Sequence, residues 1–259
     1  MTGKDIRLSR IMGNQMKKAF IMPIDHGLSY GPICGLENPY DLIKNSIDLG
    51  INAIVLHKGI LNKLPSSCLS GNYIIQLSGS TYNFNNGFYK RLISSVEEAM
   101  RLGADGVSVQ VNLGCDYEHE MLADLGKVSS ECAIMGMPLM AMVYNKKEQN
   151  NTDIIHAARL AEEIGADIVK IAMPKEINLL EKLNSCIRIP VFIAGGEYNS
   201  NVKELLHNIN IAIQYGIAGV AIGRNIFSYK NPSQLTKVII HLLQGEISED
   251  DCYQILENL

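Results

Sequence analysis

Short runs of apolar residues recur along the chain, separated by longer stretches in which apolar positions return every three or four residues. Eight of the short runs read as strands: 19-AFIMPID-25, 52-NAIVLHKG-59, 73-YIIQLSG-79, 105-DGVSVQVN-112, 138-PLMAMVY-144, 167-DIVKIAM-173, 190-PVFIAG-195 and 219-GVAIGRN-225. Their apolar residues are nearly continuous, the pattern of strands buried on both faces, as in a parallel sheet. The clearest amphipathic helices between them are 94-SSVEEAMRLG-103, 117-YEHEMLADLGKVSSECAIMG-136 and 152-TDIIHAARLAEEIG-165. Ser95 is a natural N-cap for the first, and Glu97 and Glu98 in its first turn complement the helix dipole. Gly103, Gly136 and Gly165 stand where a C-cap is needed. A weak echo runs through 49-LGINAIVL-56, 102-LGADGVSV-109, 164-IGADIVKI-171 and 215-YGIAGVAI-222, each reading as helix end, glycine stop and buried strand. Eight βα units predict an α/β fold, a single (β/α)8 TIM barrel forming one domain over residues 1–259. The rival, an open doubly wound sheet, needs a glycine-rich nucleotide turn after the first strand, and 25-DHGLSYGP-32 does not fit one.

The totals narrow the function classes. Apolar residues make up 47% of the chain and aromatic residues 6%, enough for a large aliphatic core. A formal charge of −4 lacks the basic excess of a nucleic-acid binder. Cys34, Cys68, Cys115, Cys132, Cys186 and Cys252 include no Cys-x-x-Cys spacing, so neither a zinc knuckle nor a thioredoxin-type site is indicated. Scattered thiols, no signal-peptide core in 1-MTGKDIRLSRIMG-13 and no run near the ~18 apolar residues of a membrane span predict a soluble, cytoplasmic protein.

In a (β/α)8 barrel the active site lies at the C-terminal ends of the strands. There this chain carries Asp25 and His26, His57 and Lys58, Ser78 and Gly79, Asn112, Tyr144, Lys170, Gly195 and Gly196, and Gly223 and Arg224. Lys170 is the most informative, because it interrupts the apolar run 165-GADIVKIAMP-174. Alternation puts Ile168, Lys170 and Ala172 on one face of the strand; if that face points inward, the amine enters the barrel's centre. Desolvation and neighbouring positive charge can leave such an amine neutral and able to attack a carbonyl. A structural lysine paired with a carboxylate, or one snorkelling to the rim, fits the strand equally well. Asp25 could transfer protons, cap the next element or pair with a lysine, and Tyr144 could relay a proton or serve as core. His26 and His57 could bind substrate, ligate a metal or be hydrogen-bonded barrel histidines, although no His-Glu-x-x-His spacing points to metal. Lys58 is the rival nucleophile, nearer its strand end. The turns 194-AGGE-197 and 222-IGRN-225, after the seventh and eighth strands, suit a phosphate: glycine lets backbone approach an anion, Arg224 offers a fork of donors, and Ser78-Gly79 could add another.

The segments 23-PIDHGLSYGPICGL-36, 56-LHKG-59, 76-QLSG-79, 94-SSVEEAMRLGADGVSVQVNLG-114, 167-DIVK-170, 194-AGG-196 and 220-VAIGRNIF-227 together resemble the archaeal-type class I aldolases, over nearly the whole chain. The resemblance is strongest to the branch that makes 2-amino-3,7-dideoxy-D-threo-hept-6-ulosonate and to the related aldolases of 3-amino-4-hydroxybenzoate biosynthesis. It implies a (β/α)8 barrel that forms a Schiff base on Lys170, with Asp25 and Tyr144 moving protons and Gly195, Gly196, Gly223 and Arg224 holding phosphate. It further implies the joining of L-aspartate semialdehyde to a fragment from a ketose phosphate, no cofactor, no resident metal, and a homo-oligomer with no nucleic-acid or membrane partner. A sugar-phosphate aldolase such as fructose-bisphosphate aldolase, and a non-catalytic metabolite-binding barrel, are the alternatives.

The departures from the family cluster around substrate. The segment 145-NKKEQNN-151 replaces Pro-Arg-Gly and a longer loop, and 171-IAMPK-175 replaces a more polar one. The loop 60-ILNKLPSSCLSGN-72 lacks the usual basic pattern, Ser80 stands for glycine, and Glu197-Tyr198-Asn199 stands for Pro-Lys-Thr, trading a cation for an anion. Lys146, Lys147 or Lys175 is expected to supply the missing charge.

Overall fold

The computed structural model describes residues 1–13, 18–84, 87–145 and 153–257. Eight parallel strands form a closed barrel: β1 (Ala19–Pro23), β2 (Ala53–Leu56), β3 (Tyr73–Gln76), β4 (Gly106–Leu113), β5 (Leu139–Asn145), β6 (Ile168–Ala172), β7 (Val191–Ala194) and β8 (Gly219–Ala221). Each strand pairs with its neighbours in the chain, and β8 closes on β1. All eight expected strands are present, most of them ending earlier than expected: the first stops at Pro23 and the second at Leu56. The third stops at Gln76; Ser78–Gly79 leaves the barrel to pair antiparallel with Arg91–Leu92. The eighth stops at Ala221, and Arg224 opens a helical turn, Arg224–Phe227.

The echo has a common structural cause. Gly50, Gly103, Gly165 and Gly216 all have positive φ, between 83° and 97°. At each, the glycine N–H bonds to the carbonyl three residues back and the next N–H bonds to that five back, as in Gly103 to Met100 (3.0 Å) and Ala104 to Ala99 (3.1 Å). This is a Schellman stop, which turns the chain from helix into strand within a few residues. The aspartates of the two Gly-Ala-Asp copies also share a role. Asp105 accepts from the Tyr73 N–H and Asp167 from the Leu139 N–H, each at the start of the preceding strand. They also tie down the N-terminal helix Gly3–Met12 through Arg10 (3.1 Å) and Lys4 (2.8 Å).

That helix closes the bottom of the barrel, with Ile11 buried among the inward-facing Ile21, Val55, Ile74, Met140, Ile168 and Phe192. Val169 and Ile171 face the other way, into the larger core between strands and helices. The inward face of β6 is therefore Ile168, Lys170 and Ala172. Above this packed floor the inner side chains shrink. Ala172, Ala194 and Ala221 lie side by side on β6, β7 and β8 and leave open space at the mouth.

Closure between β8 and β1 depends on Gly219, where a Cβ would lie 2.0 Å from the Ala19 carbonyl oxygen. Gly219→Ala is expected to destabilise the protein by about 1–3 kcal/mol, read as a lower midpoint in urea. Gly59→Ala, where a Cβ meets nothing within 4 Å, is expected to leave the midpoint in place.

Candidate active site

A cavity of about 310 Å³ opens at the C-terminal ends of the strands. Eleven of the residues expected from the sequence line it: Asp25, His26, His57, Ser78, Gly79, Tyr144, Lys170, Gly195, Gly196, Gly223 and Arg224. Lys170 is 7% exposed and sits in register with Met142 on β5 and Phe192 on β7, at the cavity's floor. Tyr144 stands one inward position above Met142 on β5, in register with Asn112 on β4. Asn112 itself is buried in the wall, its amide donating to the Phe88 carbonyl at 2.6 Å.

Lys58 is the exception. It opens the helical turn Lys58–Leu61, points away from the mouth and pairs with Glu98 at 2.9 Å, with its side chain 39% exposed. The strand ends at Leu56, so the chain has already turned outward at Lys58. Lys58 therefore stands outside the cavity, contrary to its expected part in substrate binding. Lys146 and Lys147 lie outside the described residues, and Lys175 is exposed and does not line the cavity.

Two residues in the turn beyond β1 set the electrostatics. Burial favours the neutral acid at Asp25, whose side chain is 17% exposed, but the positive charges of His26, Lys170 and His57 and a backbone N–H outweigh it and hold the carboxyl below its ordinary value. His26 moves the opposite way for an imidazole beside a carboxylate. Burial, reinforced by Lys170, Arg224 and Lys90, overcomes the attraction of Asp25 and lowers its pKa from 6.5 to about 4. At neutral pH His26 is therefore neutral. The His26 Nδ1 to Asp25 Oδ1 distance of 3.6 Å is too long for a hydrogen bond, and Nδ1 is buried with no partner among the described residues. His57 Nδ1 donates to the Gln76 carbonyl at 3.1 Å, because a carbonyl only accepts.

The wall at β7 and β8 is built from backbone turns. Gly196 has φ of +73°, a Cβ at Gly195 would press into Ile222, and a Cβ at Gly223 would lie 2.1 Å from the Pro23 carbonyl oxygen. Buried Asn225 holds the first turn in place, donating to the carbonyls of Gly195 (2.7 Å) and Glu197 (3.1 Å) and accepting from the Asn199 N–H (2.8 Å). Arg224 Nη2 donates to the Gly196 carbonyl at 3.2 Å, while its buried Nε meets no acceptor among the described residues. An anion seated at these turns would complete that donor set.

The family model for DeoC/LacD family aldolases matches residues 19–229. The chain belongs to that family. It is an enzyme of the class I aldolase group. This aldolase is 35% identical to the 2-amino-3,7-dideoxy-D-threo-hept-6-ulosonate synthase 1 of Archaeoglobus fulgidus, over 100% of this chain and 98% of that protein. It is 32% identical to the 2-amino-4,5-dihydroxy-6-oxo-7-(phosphonooxy)heptanoate synthase of Streptomyces griseus, over 93% of this chain and 90% of that one. Among solved structures, an archaeal fructose 1,6-bisphosphate aldolase superposes with a TM-score of 0.84 at 25% identity, covering 94% of this chain and 100% of its own. No helix among the described residues is long and apolar enough to cross a membrane.

Several lining residues of the aldolase escaped the sequence reading. Gln76 and Gln110 are polar residues on the inner faces of β3 and β4, flagged by the same interruption of an apolar run that exposed Lys170. Gln76 bonds Ser78 Oγ (3.1 Å) and Ser108, and the Gln110 N–H also donates to Ser78 Oγ (2.9 Å), so the Ser78 hydroxyl proton points elsewhere. Lys90 had no such signal; it lies in the excursion between β3 and the helix Val96–Arg101.

The depressed His26 pKa has a consequence for stability. Above 6.5 the imidazole is neutral whether the protein is folded or not. As pH falls from 6.5 towards 4 only the unfolded chain takes up the proton, so the native state loses up to about 3 kcal/mol in that window. His26→Gln is expected to remove this loss: between pH 7 and 4.5, wild-type urea stability falls further than the variant's. Parallel curves would refute the assignment.

Proposed function

We propose that this chain is a Schiff-base aldolase joining L-aspartate semialdehyde to a fragment from a ketose phosphate. The observation that carries the reading is Lys170: a buried amine lining the cavity, beside the alanines of β6, β7 and β8. The names of the relatives support the substrate pair. A 2-amino-4,5-dihydroxy-6-oxo-7-(phosphonooxy)heptanoate skeleton divides, by reversal of an aldol addition, between carbons 4 and 5. One half is a three-carbon ketose phosphate, dihydroxyacetone phosphate; the other is a four-carbon amino-acid aldehyde, L-aspartate semialdehyde.

The steps follow from the residues present. The Lys170 amine, having given up its proton, attacks the donor carbonyl; loss of water leaves an iminium whose positive nitrogen draws electrons from the adjacent C–H bond. Asp25, held ionised, takes that proton. The resulting enamine carbon attacks the aldehyde, a C–C bond forms, and the new alkoxide takes a proton by way of Tyr144. Water then releases product and restores the amine. Gly195, Gly196, Gly223 and Arg224 hold the donor phosphate, and Ser78, Gly79, His26 and His57 line the path of the reacting carbons. Cleavage of fructose 1,6-bisphosphate is the second reading, supported by the likeness to the archaeal aldolase structure.

Borohydride trapping tests the chemistry. With dihydroxyacetone phosphate, peptide mapping is expected to find the added mass on Lys170, none in Lys170→Met, and carbon–carbon bond formation on adding L-aspartate semialdehyde. An adduct on another lysine, or none with either ketose phosphate, refutes the reading. Faster turnover of fructose 1,6-bisphosphate would favour the second.

A further inference from the structure

The excursion between β3 and the helix Val96–Arg101 forms the cavity wall opposite β7. Its end is anchored by the antiparallel pairing of Ser78–Gly79 with Arg91–Leu92. Alternation at that ribbon separates two cations. Arg91 turns outward and bonds Tyr89 Oη at 2.6 Å, and Lys90 turns into the cavity. Lys90 Nζ donates to Ser29 Oγ at 3.4 Å, and Ser29 in turn donates to the Ser80 carbonyl at 2.9 Å. Tyr30 and Tyr82 pack together above them, with ring centroids 5.5 Å apart. Lys90 is close enough to the centre to lower the His26 pKa.

Among the described lining residues the cations are thus Lys170 at the floor, Arg224 at the β8 turn and Lys90 on the far wall. The proposed reaction needs them in that order. In the three-carbon donor, the phosphate-bearing carbon is bonded directly to the carbonyl carbon that Lys170 attacks. The phosphate must therefore lie beside β6, which the turns after β7 and β8 satisfy. The acceptor adds to the donor's other side and extends away from the phosphate, with its carboxylate three bonds beyond the aldehyde carbon. That end reaches across the mouth, towards β3.

We infer that Lys90, positioned by Ser29, binds the carboxylate of the acceptor aldehyde and sets the enzyme's preference for an amino-acid aldehyde. This rests on the aldolase reading but is tested separately. Titration calorimetry of L-aspartate semialdehyde into Lys170→Met, where no adduct can form, is compared with Lys170→Met/Lys90→Met. The dissociation constant is expected to rise about tenfold, and Lys170→Met/Lys90→Arg to recover part of the loss. In the Lys170 protein, Lys90→Met is expected to raise the KM for L-aspartate semialdehyde about tenfold relative to that for dihydroxyacetone phosphate, and to narrow the preference for that aldehyde over uncharged butanal. Equal binding with and without Lys90, or a rise confined to the donor's KM, overturns the assignment. So does a loss larger for glyceraldehyde 3-phosphate than for L-aspartate semialdehyde, which would make the anion a second phosphate. Failure to trap Lys170 would remove the proposed reaction and leave the calorimetry to decide Lys90.

Discussion

A lysine whose nitrogen points into a closed barrel is the constraint around which the mouth of this protein is arranged. An ammonium taken out of water loses several kcal/mol of hydration unless opposite charge or dipoles replace it. Lys170 sits directly above Ile168 and in register with Met142 and Phe192, none of which can do so. Compensation has to come from above. It comes from Asp25, in the turn after β1, whose carboxyl stays ionised in part because Lys170 is there. The dependence is mutual, so the turn after β1 and the inward face of β6 form one electrostatic unit although 145 positions separate Asp25 and Lys170 in the chain.

The same barrel divides its charged residues by level. At the bottom, Asp105 and Asp167 accept strand amides and hold Arg10 and Lys4 of the closing helix. They belong to the repeated helix-to-strand junction and serve stability. At the top, Asp25, Glu197, Lys90, Lys170 and Arg224 share one cavity, and of these only Lys170 falls within a copy of the repeat, where the other copies carry an apolar or small residue. Alanines on β6 to β8 keep that cavity open, where larger residues would continue the packed floor. Stabilising contacts and the candidate site are thereby separated along the barrel axis, as the fold generally allows.

How far this was legible in the sequence follows from the same division. The eight strands and their glycine stops are local features: an apolar run, a helix period and a residue that tolerates positive φ. Lys170, Asp25, Tyr144 and the glycine turns were legible because a polar or flexible residue at the end of an apolar strand is conspicuous. Gln76 and Gln110 carried that same mark and were passed over. Lys58 misled because counting to a strand's end does not say where the chain turns; one residue past His57 it already faces Glu98 and solvent. Lys90 was invisible for the opposite reason. Its place is fixed by a two-residue ribbon and by Ser29, a contact between segments 61 positions apart that no local pattern encodes.

The trade of a cation for Glu197 then takes on a different meaning from the one the sequence suggests. A carboxylate beside a phosphate turn is unfavourable if it replaces the charge that binds the phosphate. Here the turn is held by its backbone: Asn225 grips the carbonyls of Gly195 and Glu197, and Arg224 approaches through the Gly196 carbonyl with its Nε still unmatched. The residue type at 197 can change without dismantling that geometry, because Asn225 uses its main chain. What changes is the field. At neutral pH, with His26 uncharged, Asp25 and Glu197 face Lys90, Lys170 and Arg224, and an amine at Lys170 that gives up its proton brings the wall to balance. A site so balanced attracts anions weakly from a distance and discriminates by where its two remaining cations stand. In the proposed reaction, position, fixed by the β8 turn on one side and the β3 ribbon on the other, would then decide which pair of anionic ends can lie across the lysine.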